Sequence, residues 1–126
     1  MKQGRITPNG VILQPHETAT VVFLTQQGFD VELIPPQRRK GAHTPDIRML
    51  GSEWEMKCPT GRSPHTIKRA FKTALKQSPN MIFDLRKSKV PEAATLAKLG
   101  KEFTEIRKAK RLLIITKGGR LLDKKK

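Results

Sequence analysis

Residues 45–58 read PDIRMLGSEWEMKC, and the reading of that stretch decides the fold. Residues 47–50 and 53–58 alternate as two β-strands. Gly51-Ser52 joins them as a two-residue turn with glycine first, as a type II′ turn requires. This register sets Arg48 opposite Glu55 and Asp46 opposite Lys57. Successive side chains leave opposite faces of a strand. Asp46, Glu55 and Lys57 therefore emerge together, and Ile47, Met49, Trp54, Met56 and Cys58 emerge on the other side. One face can pack against a core while the other carries a charged cluster. Two readings are open. Opposite charges across a solvated hairpin are mildly favourable by themselves. Two neighbouring carboxylates, by contrast, repel unless a cation sits between them, and Mg²⁺ is held by one or two carboxylates, waters and phosphate oxygens. Lys57 would add a positive charge able to stabilise a transition state or orient an attacking water. On that reading Asp46, Glu55 and Lys57 are the catalytic centre for cutting a phosphodiester, with Mg²⁺, or Mn²⁺ or Zn²⁺, as cofactor.

The rest of the chain suits a phosphate-rich substrate. Its 126 residues fit one domain, 1–126, with a single core. Hydrophobic residues make up 36% and aromatics 5%, so that core must be modest and mostly aliphatic. Lys and Arg number 26 against 11 acids, a net +15, which points to polyanionic partners and hence to nucleic acid. No segment pairs a basic face with an aromatic and aliphatic one, no apolar run reaches membrane-spanning length, and no signal peptide is visible. The single cysteine excludes an internal disulfide and argues against a thiolate zinc site. Cys58, on the apolar side of its strand, reads as a small buried hydrophobe.

Outward from the hairpin, residues 1–15 form an irregular lead-in. A helix over 16–27 follows, with Gly28 as its stop and an apolar stripe of Ala19, Val22 and Phe23 widened by Val21 and Leu24. Residues 29–34 alternate as a strand ended by Pro35-Pro36. Arg38, Arg39 and Lys40 then lie in a basic loop, either a solvated linker or a phosphate-contacting mouth to the site. After Cys58 a turn-rich segment leads to a helix over 65–78. Ile67, Ala70, Phe71, Ala74 and Leu75 form its apolar stripe, and Lys68, Lys72 and Lys76 face outward as candidate phosphate contacts. Residues 81–85 read as a strand, 91–108 as a long helix and 111–116 as a strand. Residues 117–126 form a basic C-terminal edge and tail. The order α-β-β-β-α-β-α-β is an α/β sandwich with a mixed central sheet flanked by helices.

Several strings carry a resemblance. Pro45-Asp46 … Glu55-x-Lys57 after a leading helix resembles the restriction-endonuclease-like nuclease superfamily, named for its PD-(D/E)xK motif. More narrowly, other strings are similar to the C-terminal tRNA-nuclease toxin domains of contact-dependent growth-inhibition (CdiA-type) proteins. They are His16-Glu17 opening the first helix, Gly41 through Asp46, Trp54-Glu55-Met56-Lys57, Thr66-Ile67-Lys68, Phe83-Asp84-Leu85-Arg86 and the strand from Arg111 to Ile115. The likeness covers residues 16–116 and implies a restriction-endonuclease-like sandwich. It implies Asp46 and Glu55 as metal ligands, Lys57 as catalytic lysine, and Glu17 as a further acid completing or orienting the metal shell. Glu17 shares a helical face with Val21 and Leu24 and so should point to the sheet. The competing role for Glu17 is an ordinary first-turn acid favoured by the helix dipole.

The expected function is a metal-dependent endonuclease acting on RNA, above all tRNA, as a growth-inhibition toxin in the cytoplasm of a target cell, countered by an acidic immunity protein. Two other classes compete: a DNA endonuclease of a mobile element, and a non-catalytic basic nucleic-acid-binding module. His16, His43 and His65 fall on three different connections, and nothing in their spacing pairs them for acid–base work. Trp54 belongs to the core by alternation. Arg86 is expected at the cleft rim as a nucleic-acid contact, with a surface ion pair as the other possibility.

Overall fold

The structure, a computed structural model, describes residues 2–36 and 44–126. Seven strands form one mixed sheet in sequential order: β1 (Ile6–Thr7), β2 (Val31–Leu33), β3 (Ile47–Met49), β4 (Ser52–Lys57), β5 (Asn80–Asp84), β6 (Arg111–Ile115) and β7 (Leu121–Lys125). Three helices connect them: α1 (Pro15–Gln26), α2 (Pro64–Gln77) and α3 (Glu92–Glu105). Each helix links a parallel pair, β1/β2, β4/β5 or β5/β6, because parallel neighbours need a long crossover. The pairs β2/β3, β3/β4 and β6/β7 are antiparallel, and β3/β4 and β6/β7 are joined by short turns.

Alternation along the middle strands divides the core in two. Ile82 and Leu113 face a cluster built with Val21, Phe23 and Leu24 of α1 and with Trp54 and Met56. Met81, Phe83, Leu112 and Ile114 face the other, formed with Ile67 and Phe71 of α2 and Leu99 and Phe103 of α3. Residues 81–85 and 112–115 are continuous apolar runs, apart from Asp84, because helices cover both sides of these strands. The α2 stripe is as expected, with Ser63 Oγ accepting from the His65 N–H to cap it. Gly28, at φ 96°, stops α1 as expected.

The hairpin register differs from the sequence reading. Ile47 pairs with Trp54, Arg48 with Glu53 and Met49 with Ser52. Leu50 and Gly51 are therefore the central turn residues, at φ 55° and 74°, the positive pair of a type I′ turn. Trp54 Nε1 donates to the Met49 carbonyl at 2.8 Å and the Asp46 N–H to the Trp54 carbonyl at 2.9 Å, which pins this register. A slip of two residues keeps Asp46, Glu55 and Lys57 on one face, as expected. It does change the partner of Asp46, which now stands opposite Glu55 and not Lys57.

Other boundaries move for tertiary reasons. The lead-in contains β1, whose Ile6 pairs with Val31. The C-terminal tail is mostly β7, zipped to β6 from Ile115↔Leu121 to Arg111↔Lys125 and tied by an Arg111–Asp123 ion pair at 2.7 Å. Its exposed lysines blunt a sheet edge. α3 ends at Glu105, short of 108, where buried Ala109 and the Lys110 N–H bond to the Pro79 carbonyl draw the chain into β6. On α1 the buried face is Thr20, Val21, Phe23, Leu24 and Thr25, while Ala19 is exposed and Val22 half-buried.

Candidate functional site

Two neighbouring strands deliver the charged cluster. Asp46 sits just before β3, and Glu55 and Lys57 are two apart on β4, so the pleat sends both β4 side chains to one face. Lys57 Nζ is 3.6 Å from Glu55 Oε2. Asp46 Oδ2 accepts the Met56 N–H at 2.8 Å, which aims its carboxyl group along β4. These side chains line a cavity of about 330 Å³ together with His16, Glu17, Thr20, Met56 and Cys58. The three residues of the expected catalytic centre are thus brought together.

The electrostatics of the pair are unfavourable as they stand. Glu55 is 7% exposed, and burial, with Asp46 beside it, pushes its carboxyl up to about 8 despite the relief from Lys57. Asp46 is also raised, chiefly by burial and further by the charge of Glu17, while the Met56 N–H, a hydrogen bond with the Glu55 carboxyl and the charge of Lys57 oppose the rise. Glu55 Oε1 is buried, and among the described residues no hydrogen bond reaches it. Such an orphaned oxygen beside a second carboxylate is satisfied either by a shared proton or by a cation. The donor set fits a hard divalent ion of the Mg²⁺ kind, for which one or two carboxylates suffice when waters and phosphate oxygens complete the shell. Among the described residues no group of three His, Cys, Asp or Glu side chains is close enough to cage a metal by itself.

Glu17 lies on the wall of the same cavity, half-buried in the first turn of α1. Its Oε1 accepts the Gln14 N–H at 2.9 Å, a helix-capping contact, so the first-turn role is real. Its charge is nonetheless felt by Asp46.

The expected docking residues divide. Arg38, Arg39 and Lys40 lie outside the described residues. Lys72 and Lys76 are exposed on α2 and Lys68 is half-buried, and none of the three lines the cavity. Arg86 is engaged internally. It donates to both oxygens of Asp84, at 3.0 and 2.7 Å, and to the Ala19 carbonyl at 3.0 Å, with its guanidinium over the Phe23 ring. Asp84, 2% exposed, also accepts from Thr20 Oγ1 at 2.7 Å. Burial alone would raise Asp84, but the bonds from Arg86 and Thr20 hold it below the ordinary carboxylate range. This cluster lashes α1 to the end of β5.

Beside the expected site residues the cavity wall includes His16, Thr20, Met56 and Cys58. His16 stands one residue before Glu17 at the start of α1, and that adjacency was the available signal. Thr20 lies one turn further along, and its hydroxyl carries no local signal of a site. Cys58 is expected to be buried, but β4 ends at Lys57, the alternation stops there, and Cys58 is half-buried in the cavity wall. Trp54, at 1% exposed, is core as expected.

The family model described as the contact-dependent growth inhibition CdiA C-terminal domain matches residues 43–121. That span includes Asp46, Glu55, Lys57 and all of α2 and α3. Comparison with curated proteins finds no match. Among solved structures, a CdiA-CT/CdiI toxin and immunity complex from Burkholderia pseudomallei contains a chain of similar fold. The likeness has a TM-score of 0.74 at 20% identity and covers 98% of this chain and 100% of that one.

Proposed function

Since the chain belongs to the contact-dependent growth inhibition CdiA C-terminal domain family, and is thereby a growth-inhibition toxin domain, we propose that its poison is a divalent-metal-dependent endonuclease activity on RNA, tRNA before other substrates. The observation that carries this reading is the buried Glu55 carboxylate beside Asp46 and Lys57, one of whose oxygens has no hydrogen-bond partner among the described residues. The arrangement follows the PD-(D/E)xK pattern of the restriction-endonuclease-like superfamily, to which we assign the site.

Asp46 and Glu55 would hold the ion, with Glu17 across the cavity adding negative charge. A divalent cation bound there supplies Lewis acidity toward water and phosphate. Lys57 offsets charge on the scissile phosphate and partly opposes the rise that burial and Asp46 impose on Glu55. The +15 chain attracts the backbone, with Lys68, Lys72 and Lys76 as surface contacts. Among the described residues no helix is long and apolar enough to cross a membrane. The site of action in this reading is the cytoplasm of the target cell. The partner in the similar complex is an immunity protein, and for this chain we expect an acidic one, since complementary charge speeds association and covers a basic cleft.

The test is incubation of the purified chain with total tRNA and with plasmid DNA, with Mg²⁺ and with EDTA. Discrete tRNA fragments that require Mg²⁺ are expected. Broken plasmid beside intact tRNA would move the substrate to DNA, and cleavage undiminished in EDTA would remove the metal site.

A further inference from the structure

A second cavity, of about 240 Å³, lies beside the first and is lined by His16, Ala19, Cys58, Asp84, Arg86 and Lys87. His16 and Cys58 belong to both cavities, so the two form one groove. It crosses the C-terminal ends of the parallel strands β4 and β5, where open α/β sheets receive ligands. Lys57 pairs with Phe83 in that ladder, which brings Cys58 level with Asp84.

The charges in this second cavity are unequal in their availability. Asp84 and Arg86 satisfy each other, and Arg86 is further held by the Ala19 carbonyl. Lys87 is exposed, and its side chain enters no ion pair or hydrogen bond among the described residues. His16 adds a second donor at the boundary between the cavities, while Ala19 and Cys58 are small and leave room between them. The result is a compartment with a cation at its mouth and apolar walls, reached from the carboxylate pair without leaving the groove.

Resting on the nuclease reading, we propose that this compartment is the subsite for the nucleotide next to the scissile phosphate. Its ribose and base lie against Ala19 and Cys58, and its own phosphate meets Lys87. A strand gripped at one phosphate alone can pivot, and a second contact sets its direction through the catalytic pair. Arg86, tied down by Asp84, shapes the wall and takes no phosphate.

The test uses total tRNA as probe in EDTA, so that binding is read without cleavage, together with maleimide labelling of Cys58, the single cysteine. Saturating tRNA is expected to slow labelling, and Lys87→Ala to weaken tRNA binding about tenfold, the size of one charge-assisted contact. The slope of log affinity against log salt should fall by about 1 in Lys87→Ala. Ala19→Phe should weaken binding with an unchanged unfolding midpoint, while Lys124→Ala, on the edge strand β7, should bind as wild type. Should Cys58 label too slowly in the free protein, the two affinity measurements decide. Labelling undiminished under saturating tRNA, with wild-type affinity in Lys87→Ala and Ala19→Phe, overturns the subsite even if Mg²⁺-dependent cleavage is observed. Failure of wild type to bind tRNA overturns it as well. Protection of Cys58 and a Lys87 effect without any Mg²⁺-dependent cleavage would keep the subsite and remove the proposed chemistry instead.

Discussion

Replacing Glu55 by Gln isolates the strain stored in the carboxylate pair. In the folded chain the Glu55 carboxyl is carried from an ordinary 4.5 to about 8 by burial and by Asp46. An acid whose folded value is raised binds its proton more tightly in the native state than in the unfolded one. Stability attached to it is therefore complete below pH 4.5 and is lost as pH rises toward 8. A displacement of that size sets an upper limit of about 5 kcal/mol on the loss. Gln resembles the protonated acid in shape and cannot ionise. Glu55→Gln should therefore match wild type near pH 4.5 and exceed it by about 2–5 kcal/mol at pH 9. Urea unfolding followed by circular dichroism, in EDTA and in pH steps from 4.5 to 9, reads this directly. Titration of the acids and bases remote from the pair cancels in the difference between the two proteins, and the response of Asp46 to the lost Glu55 charge is part of what that difference reads. Excess Mg²⁺ at pH 8 should stabilise wild type and leave Glu55→Gln nearly unmoved, because an ion that binds only the native state adds its binding free energy. A stability difference that stays flat across pH would refute the reasoning.

Lys57→Ala should reduce turnover by about a hundredfold or more, far more than it weakens tRNA binding, since its charge acts chiefly on the charge that develops in the transition state. Replacing Lys68, Lys72 and Lys76 together should do the opposite, weakening binding and lowering the salt slope by up to about 3 in titrations at several salt concentrations. Arg86→Ala leaves the buried Asp84 carboxylate without its cation and α1 without its tie to β5, at a cost of about 3 kcal/mol in urea unfolding. A loss below about 1 kcal/mol would show that Thr20 and the backbone suffice to satisfy Asp84.

What the sequence alone determined rests on period and composition. The α2 stripe, the apolar runs of β5 and β6, and the side of the hairpin on which Asp46, Glu55 and Lys57 emerge are all local. A helix repeats every 3.6 residues and a strand every two, and both periods survive an error of register. Gly28 as the stop of α1 was legible because only a left-handed residue fits there. The turn was not, because Leu50 at φ 55° is an improbable choice for a non-glycine residue, imposed by the pairing of β3 with β4 and by the Trp54 bond to Met49. β1 and most of β7 were invisible for a related reason. Polar or very short edge strands carry no periodic signal and exist because a neighbouring strand offers unpaired groups. Tertiary structure alone also decided the surroundings of the site. It turned Asp46 toward Glu55, placed His16 and Cys58 in the groove, and tied Arg86 to Asp84. Those outcomes depend on which distant segments share a few ångströms of space. A chain can encode them only through the packing of α1 against β4 and β5, which no window along the sequence contains.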